Sequence, residues 1–312
     1  MDGGMQDNRA PRRDVFCMTS IRVLDAPPLP PSRFVELSGR GKTLVYEQSG
    51  PPDAPTLMLL HGLGATAALN WFTSFPALEP HYRVIAHDHR GHGHALRGAK
   101  PFTLEDAADD VVALADACGV DRFIAVGYSM GGPIIELLWR RHRERIAGLV
   151  FCATSCRFRI SPQDHALFAS LGVLARTTGI MPGAIGTRFI SLLSQPFLSR
   201  CDYEGWAREQ LLMRDDRAVL EAAAALGTYC GSASLGTIDV PTSVLVHTRD
   251  QVVPPARQVA LASLIQGATT HTVDADHFAP VRCPDIFVRA LMAAINDVSD
   301  TSQDLIDFPA AS

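Results

Sequence analysis

Gly127-Tyr128-Ser129-Met130-Gly131 is the stretch of this sequence with the clearest chemical meaning. A serine between glycines at this spacing can sit on a tight strand-to-helix turn, its hydroxyl exposed beside a helix N-terminus. The apolar run 123–126 leads directly into it. A helical pattern follows, with Pro133 in the first turn, where a missing N–H costs little. A chain of this length carries the five-residue pattern by chance in about one case in ten; the strand before it and the helix after it supply the weight. A serine hydroxyl attacks an acyl carbon only when a base takes its proton, most often a histidine held by a carboxylate. Two downstream stretches hold such partners: Asp274-Ala275-Asp276-His277-Phe278, and His247-Thr248-Arg249-Asp250 with Pro254 beyond it.

These residues need a scaffold, and the apolar pattern describes one. Continuous apolar runs at 56–60, 82–86, 123–126, 146–152 and 243–246, with a weaker one at 269–273, suit strands buried on both faces of a parallel sheet. Runs at 33–37 and 43–47, joined by Ser38-Gly39-Arg40-Gly41, read as a hairpin. Helical patterns lie between the later runs. Thr103-Leu104-Glu105-Asp106 has capping-box form and opens a helix to about residue 117. Others cover 133–145, whose terminal arginines complement the helix dipole, and 284–295. Alternating strand and helix predict an α/β fold with a mostly parallel sheet and helices on both faces. Ser129, Asp250 and His277 all follow strand ends, at the sheet edge where sites gather.

The alternation breaks over 157–237, where helical patterns at 162–174, 184–193, 203–213 and 218–228 replace strands. This predicts a helical cap inserted into a core made of 33–156 and 238–295. Residues 1–32 are polar and then proline-dense, an extended or disordered lead-in. Residues 296–312, with Asp297, Asp300, Asp304 and Asp307, read as a frayed acidic tail.

Composition excludes several functions. The 312 residues carry a net charge of −5, so no basic field for nucleic acid is present. No apolar run approaches the length of a membrane span. Seven cysteines, an odd number with no Cys-x-x-Cys pair, fit a reduced, cytoplasmic location, and no secretory signal follows Arg9, Arg12 and Arg13. Cys152 and Cys156 lack a second Cys/His pair at zinc spacing, so they read as unligated thiols.

Two further motifs complete a pattern. His61-Gly62-Leu63-Gly64 follows the third strand, and Asp88-His89-Arg90-Gly91-His92-Gly93 follows the fourth. With Gly127–Gly132, Asp250 with Pro254, and His277 with Pro284, the sequence from about 33 to 295 resembles the α/β-hydrolase superfamily. The resemblance implies Ser129 as nucleophile, His277 as base and Asp250 as orienting acid. It also implies an oxyanion hole from the backbone N–H groups of Leu63 and Met130, a cap after the sixth strand, and no cofactor or metal. Asp276 stands where the family often has glycine, and it is not taken as the triad acid. The alternative acid position, within 152–159, holds no Asp or Glu. A serine nucleophile separates the chain from haloalkane dehalogenases and epoxide hydrolases, which use Asp.

The implied activity is hydrolysis of a small-molecule carboxylic ester through an acyl-enzyme, with an apolar acyl chain as one form of substrate. Thioesterase, lactonase, C–C bond hydrolase and acyltransferase activities share this fold and triad; a non-catalytic ligand-binding relative is a different class, and the intact triad speaks against it. Candidate pocket residues are His61, Trp71, Tyr128, Phe168, Phe189, Val252 and Phe278. Trp71 reads equally as a core residue, and His61 as a residue that shapes the oxyanion loop. The apolar residues of the cap either line an acyl-chain pocket or form the cap's own core. His87, His89, His92 and His94 around Asp88 could suggest a metal, but the family's loop explains them without one.

Overall fold

The computed structural model describes residues 26–97, 100–177 and 203–307. The helix expected at 184–193, and Phe189 with it, lie outside the described residues.

Eight strands form one sheet: β1 (Ser32–Leu37), β2 (Gly41–Gln48), β3 (Thr56–Leu60), β4 (Arg83–His87), β5 (Phe123–Tyr128), β6 (Ile146–Cys152), β7 (Thr242–His247) and β8 (Thr269–Val273). Their spatial order is β1-β2-β4-β3-β5-β6-β7-β8. The β1–β2 and β2–β4 pairs are antiparallel, and every other neighbour is parallel. The parallel strands need crossovers, and helices supply them.

β5 shows why its run is continuously apolar. All of its positions are buried. Phe123 and Ala125 join one hydrophobic cluster, and Ile124 and Val126 join another. The two clusters occupy opposite faces, because successive side chains of a strand point opposite ways. Helices Leu104–Ala117 and Gly131–Arg141 pack their apolar residues into the first cluster, and helix Pro284–Asp307 packs Phe287, Leu291 and Ile295 into the second. Helix Leu104–Ala117 starts at the expected cap, where Thr103 Oγ1 accepts the Asp106 N–H at 3.0 Å.

Between β6 and β7 the described residues form helices Pro162–Thr177, Glu204–Leu212, Asp216–Thr228 and Ser232–Leu235. The two connections of this insertion touch: Arg157 forms an isolated bridge with Cys230, and the Gly231 N–H donates to the Cys156 carbonyl at 2.9 Å. Phe168 packs directly on Gly227, joining the helix Pro162–Thr177 to the helix Asp216–Thr228. Among the described residues, no helix is long and apolar enough to cross a membrane.

The C-terminal tail differs from expectation. The last helix does not end near 295 and fray; it runs from Pro284 to Asp307. Val298 and Ser299 are buried, and the Ser302 hydroxyl lies 2.9 Å from the Ala147 carbonyl and 2.6 Å from that of Val298. The acidic residues distract from this inward face, which continues the spacing of Leu291 and Ile295. Helix Pro255–Leu264, which follows Pro254, was also not expected, since its apolar periodicity is weak.

Candidate active site

The turn after β5 holds Ser129 at φ 52°, a left-handed conformation that a serine adopts only under constraint. Three hydrogen bonds supply it. The Ser129 N–H donates to Cys152 O at 2.8 Å, and the Ser129 carbonyl accepts from Gly132 N at 3.0 Å and Thr154 Oγ1 at 2.7 Å. The flanking glycines are needed for space: a Cβ on Gly127 would overlap the Gly131 carbonyl, and one on Gly131 would overlap the Leu60 carbonyl.

Ser129, His277 and Asp250 form one hydrogen-bonded chain. His277 Nε2 lies 3.0 Å from Ser129 Oγ, and His277 Nδ1 lies 2.7 Å from Asp250 Oδ2. A carboxylate oxygen only accepts, so Nδ1 carries the proton and Nε2 is free to accept from the serine. Asp250 is 1% exposed, which keeps water from competing for it. Its Oδ1 accepts the N–H groups of Val252 and Val253, both at 2.8 Å. Asp276 faces elsewhere, with its carboxylate on Arg282 and on the Phe278 N–H at 2.9 Å.

A buried polar layer lies beneath these three residues. Gln258 Nε2 donates to Asp250 Oδ2 at 3.0 Å. The Tyr128 hydroxyl donates to the His277 carbonyl at 2.7 Å, and burial pushes this phenol well above its ordinary range. His247 Nδ1 donates to the Asp276 carbonyl at 3.0 Å, and burial lowers this imidazole to about 4. Sequence reasoning missed Gln258 and His247, because neither belongs to a motif. Their signal was only position: a polar residue in the first turn of the helix after Pro254, and one at the C-terminal end of β7.

Residues 61–70 and 88–94 form a second polar knot beside the serine. His61 Nε2 accepts the His89 N–H at 2.9 Å, and its Nδ1 contacts the Gly62 carbonyl at 2.8 Å. Asp88 accepts the N–H groups of Ala67 and His94, both at 2.8 Å, and so ties the two loops together. Burial holds His61 and His89 well below the imidazole range, and lowers His87 and His92 to about 4. Among the described residues, no group of three His, Cys, Asp or Glu is arranged to hold a metal ion.

The remaining candidates divide. Leu63, at 36% exposure, and Val252, at 56%, are open to solvent. A Cβ on Gly62 would stand 3.3 Å from Ser129 Cβ, which places the 61–64 loop against the serine. Neither the Leu63 nor the Met130 N–H has an acceptor among the described residues. Phe278 lies edge-on to His277 with ring centroids 6.0 Å apart. Trp71 is fully buried, packed edge-on to Tyr128 in the core. Phe168 lies in the contact between inserted helices. A cavity of about 710 Å³ lined by Phe102, Leu104, Leu137, Ala225 and Tyr229 opens elsewhere, and no triad residue lines it.

Comparison with known proteins identifies the fold family. The family model described as the alpha/beta hydrolase fold matches residues 55–281. Pyrrolizixenacetamide deacetylase of Xenorhabdus hominickii is 27% identical over 251 residues, covering 76% of this chain and 89% of that protein. The 3-oxoadipate enol-lactonase 1 of Acinetobacter baylyi is 23% identical over 264 residues, covering 83% of this chain and 95% of the relative. The crystal structure of the enol-lactonase from Burkholderia xenovorans LB400 superposes with a TM-score of 0.70 at 26% identity, over 85% of this chain and all of that one. By sequence and by sheet topology, the chain belongs to the α/β-hydrolase fold family.

Proposed function

We propose that the chain is a serine hydrolase that cleaves the carboxylic ester of a small molecule through an acyl-enzyme. Ser129 Oγ attacks the acyl carbon while His277 Nε2 takes its proton. Asp250 keeps the required tautomer and balances the imidazolium that forms. The N–H groups of Leu63 and Met130 receive the oxyanion; both lack another acceptor among the described residues. His277 then protonates the leaving alcohol, and water, activated by the same histidine, releases the acid. The inserted helices act as a cap over this edge of the sheet. The reading rests on the continuous Ser129–His277–Asp250 hydrogen-bonded chain.

A lactone is the second substrate class, favoured by relatives named as enol-lactonases. Opening a lactone breaks the same acyl–oxygen bond, so no residue changes role. The test is a panel of p-nitrophenyl esters of rising chain length beside simple lactones, with Ser129→Ala as control. Turnover of either class, reduced by several orders of magnitude in Ser129→Ala, supports the proposal. Full activity in Ser129→Ala contradicts it.

A further inference from the structure

We propose that Gln258 is the positioning residue for the Asp250 carboxylate, fixing the orientation in which it meets His277. The role rests on the hydrolase reading above. Gln258 lies in the first turn of helix Pro255–Leu264 and is fully buried. Its amide makes three hydrogen bonds. Nε2 donates to Asp250 Oδ2 at 3.0 Å and to Val253 O at 2.7 Å, and Oε1 accepts the His247 N–H at 2.9 Å. Only one amide orientation works. Reversed, the oxygen would face a carboxylate and a carbonyl, and the NH₂ would face an N–H.

The two sides of the carboxylate are held differently. Oδ1 is bound by Val252 and Val253, which belong to Asp250's own loop and move with it. Oδ2 carries the bond to His277, and Gln258 is its other partner. Because Gln258 is also hydrogen-bonded to the last residue of β7, it references Oδ2 to the sheet. It adds one neutral donor and no charge to the carboxylate, so the Asp250 anion stays available to the imidazolium formed during attack. The ionisable residues this amide touches are Asp250 and, by its N–H, His247; Asp250 leads on to His277, and the His247 ring to Tyr128 and the Asp276 carbonyl. Arg257, the adjacent residue, turns outward to Phe158 O at 3.1 Å and Asp164 at 2.7 Å.

The experiment measures the rate at which a fluorophosphonate labels Ser129 across pH, in wild type, Gln258→Leu and Gln258→Glu, with thermal melts as a check on folding. Gln258→Leu is expected to label about 10- to 100-fold more slowly at every pH, as loss of a charge-assisted hydrogen bond implies. In Gln258→Glu the new carboxyl can donate to Asp250 only while protonated. Its labelling is expected to stay near wild type in acid and to fall behind as pH rises. This pH-dependent gap is a readout that a merely structural role does not give, and it stands even if Gln258→Leu does not fold. A wild-type rate in Gln258→Leu overturns the proposal, as does a Gln258→Glu deficit that is constant with pH. A wild type that does not label at all overturns the hydrolase reading itself, and this role with it.

Discussion

The hydroxyl of Tyr128 donates to the carbonyl oxygen of His277 at 2.7 Å, so the residue before Ser129 in the chain grips the main chain of His277. The strand that presents the serine therefore also anchors the loop that presents the histidine. Tyr128→Phe removes one buried hydroxyl and leaves a carbonyl without its donor. Such losses cost about 1–3 kcal/mol. We expect a melting temperature several degrees lower, and kcat reduced about tenfold with KM little changed. Thermal unfolding and ester kinetics on the same preparation check both.

The turn itself has no room for a methyl group. Gly127→Ala drives a Cβ into the Gly131 carbonyl, where backbone and not a flexible side chain must yield. Overpacking of this kind costs about 1–3 kcal/mol, occasionally more. Urea unfolding should show the loss, and activity should fall further than stability, because Ser129 loses its φ of 52°.

Buried imidazoles make acid destabilising. Burial lowers His87, His92 and His247 to about 4, against about 6.5 when unfolded. The unfolded chain takes up their protons first, so their stabilisation is complete above pH 6.5 and is lost as pH falls towards 4. Each contributes a slope of up to about 1.4 kcal/mol per pH unit in that window. Asp88 and Glu136, raised by burial, act in the opposite sense and soften the loss. Urea unfolding from pH 8 to 4 should therefore show falling stability, with a shallower slope in His87→Gln.

Much of this was readable because the relevant physics is local. Continuous apolar runs marked the parallel strands, since both faces of a central strand are buried. Thr103 marked a helix start through its cap, and Gly127 with Gly131 marked a turn that tolerates no Cβ. The Ser129, Asp250 and His277 geometry was legible as an order of motifs at strand ends. What was not legible depends on distant neighbours. Gln258 belongs to no pattern and takes its contacts from β7 and the Asp250 loop. Tyr128 is a candidate pocket residue by sequence, yet its hydroxyl points to His277 O because a buried phenol must find an acceptor. The last helix extends past Ile295 because Val298 and Ser302 meet β6, which its acidic residues do not reveal.

The inserted helices are tied to the core through Arg257, which donates to Phe158 O at 3.1 Å and pairs with Asp164 at 2.7 Å. Asp164 also accepts the N–H groups of Ile160 and Ser161, at 3.0 and 2.8 Å. Both partners are partly open to solvent, so Arg257→Ala should cost about 1 kcal/mol or less in global stability. Its effect should be local: faster limited proteolysis between residues 157 and 177, with the core intact. Equal cleavage rates in variant and wild type would remove this anchoring role.

Whether Ser129 is an activated nucleophile is tested most directly by mapping a fluorophosphonate adduct by mass spectrometry. The expected result is one adduct per chain, located on Ser129, absent in Ser129→Ala and strongly reduced in His277→Ala. No adduct, or an adduct on another residue that persists in Ser129→Ala, would contradict it.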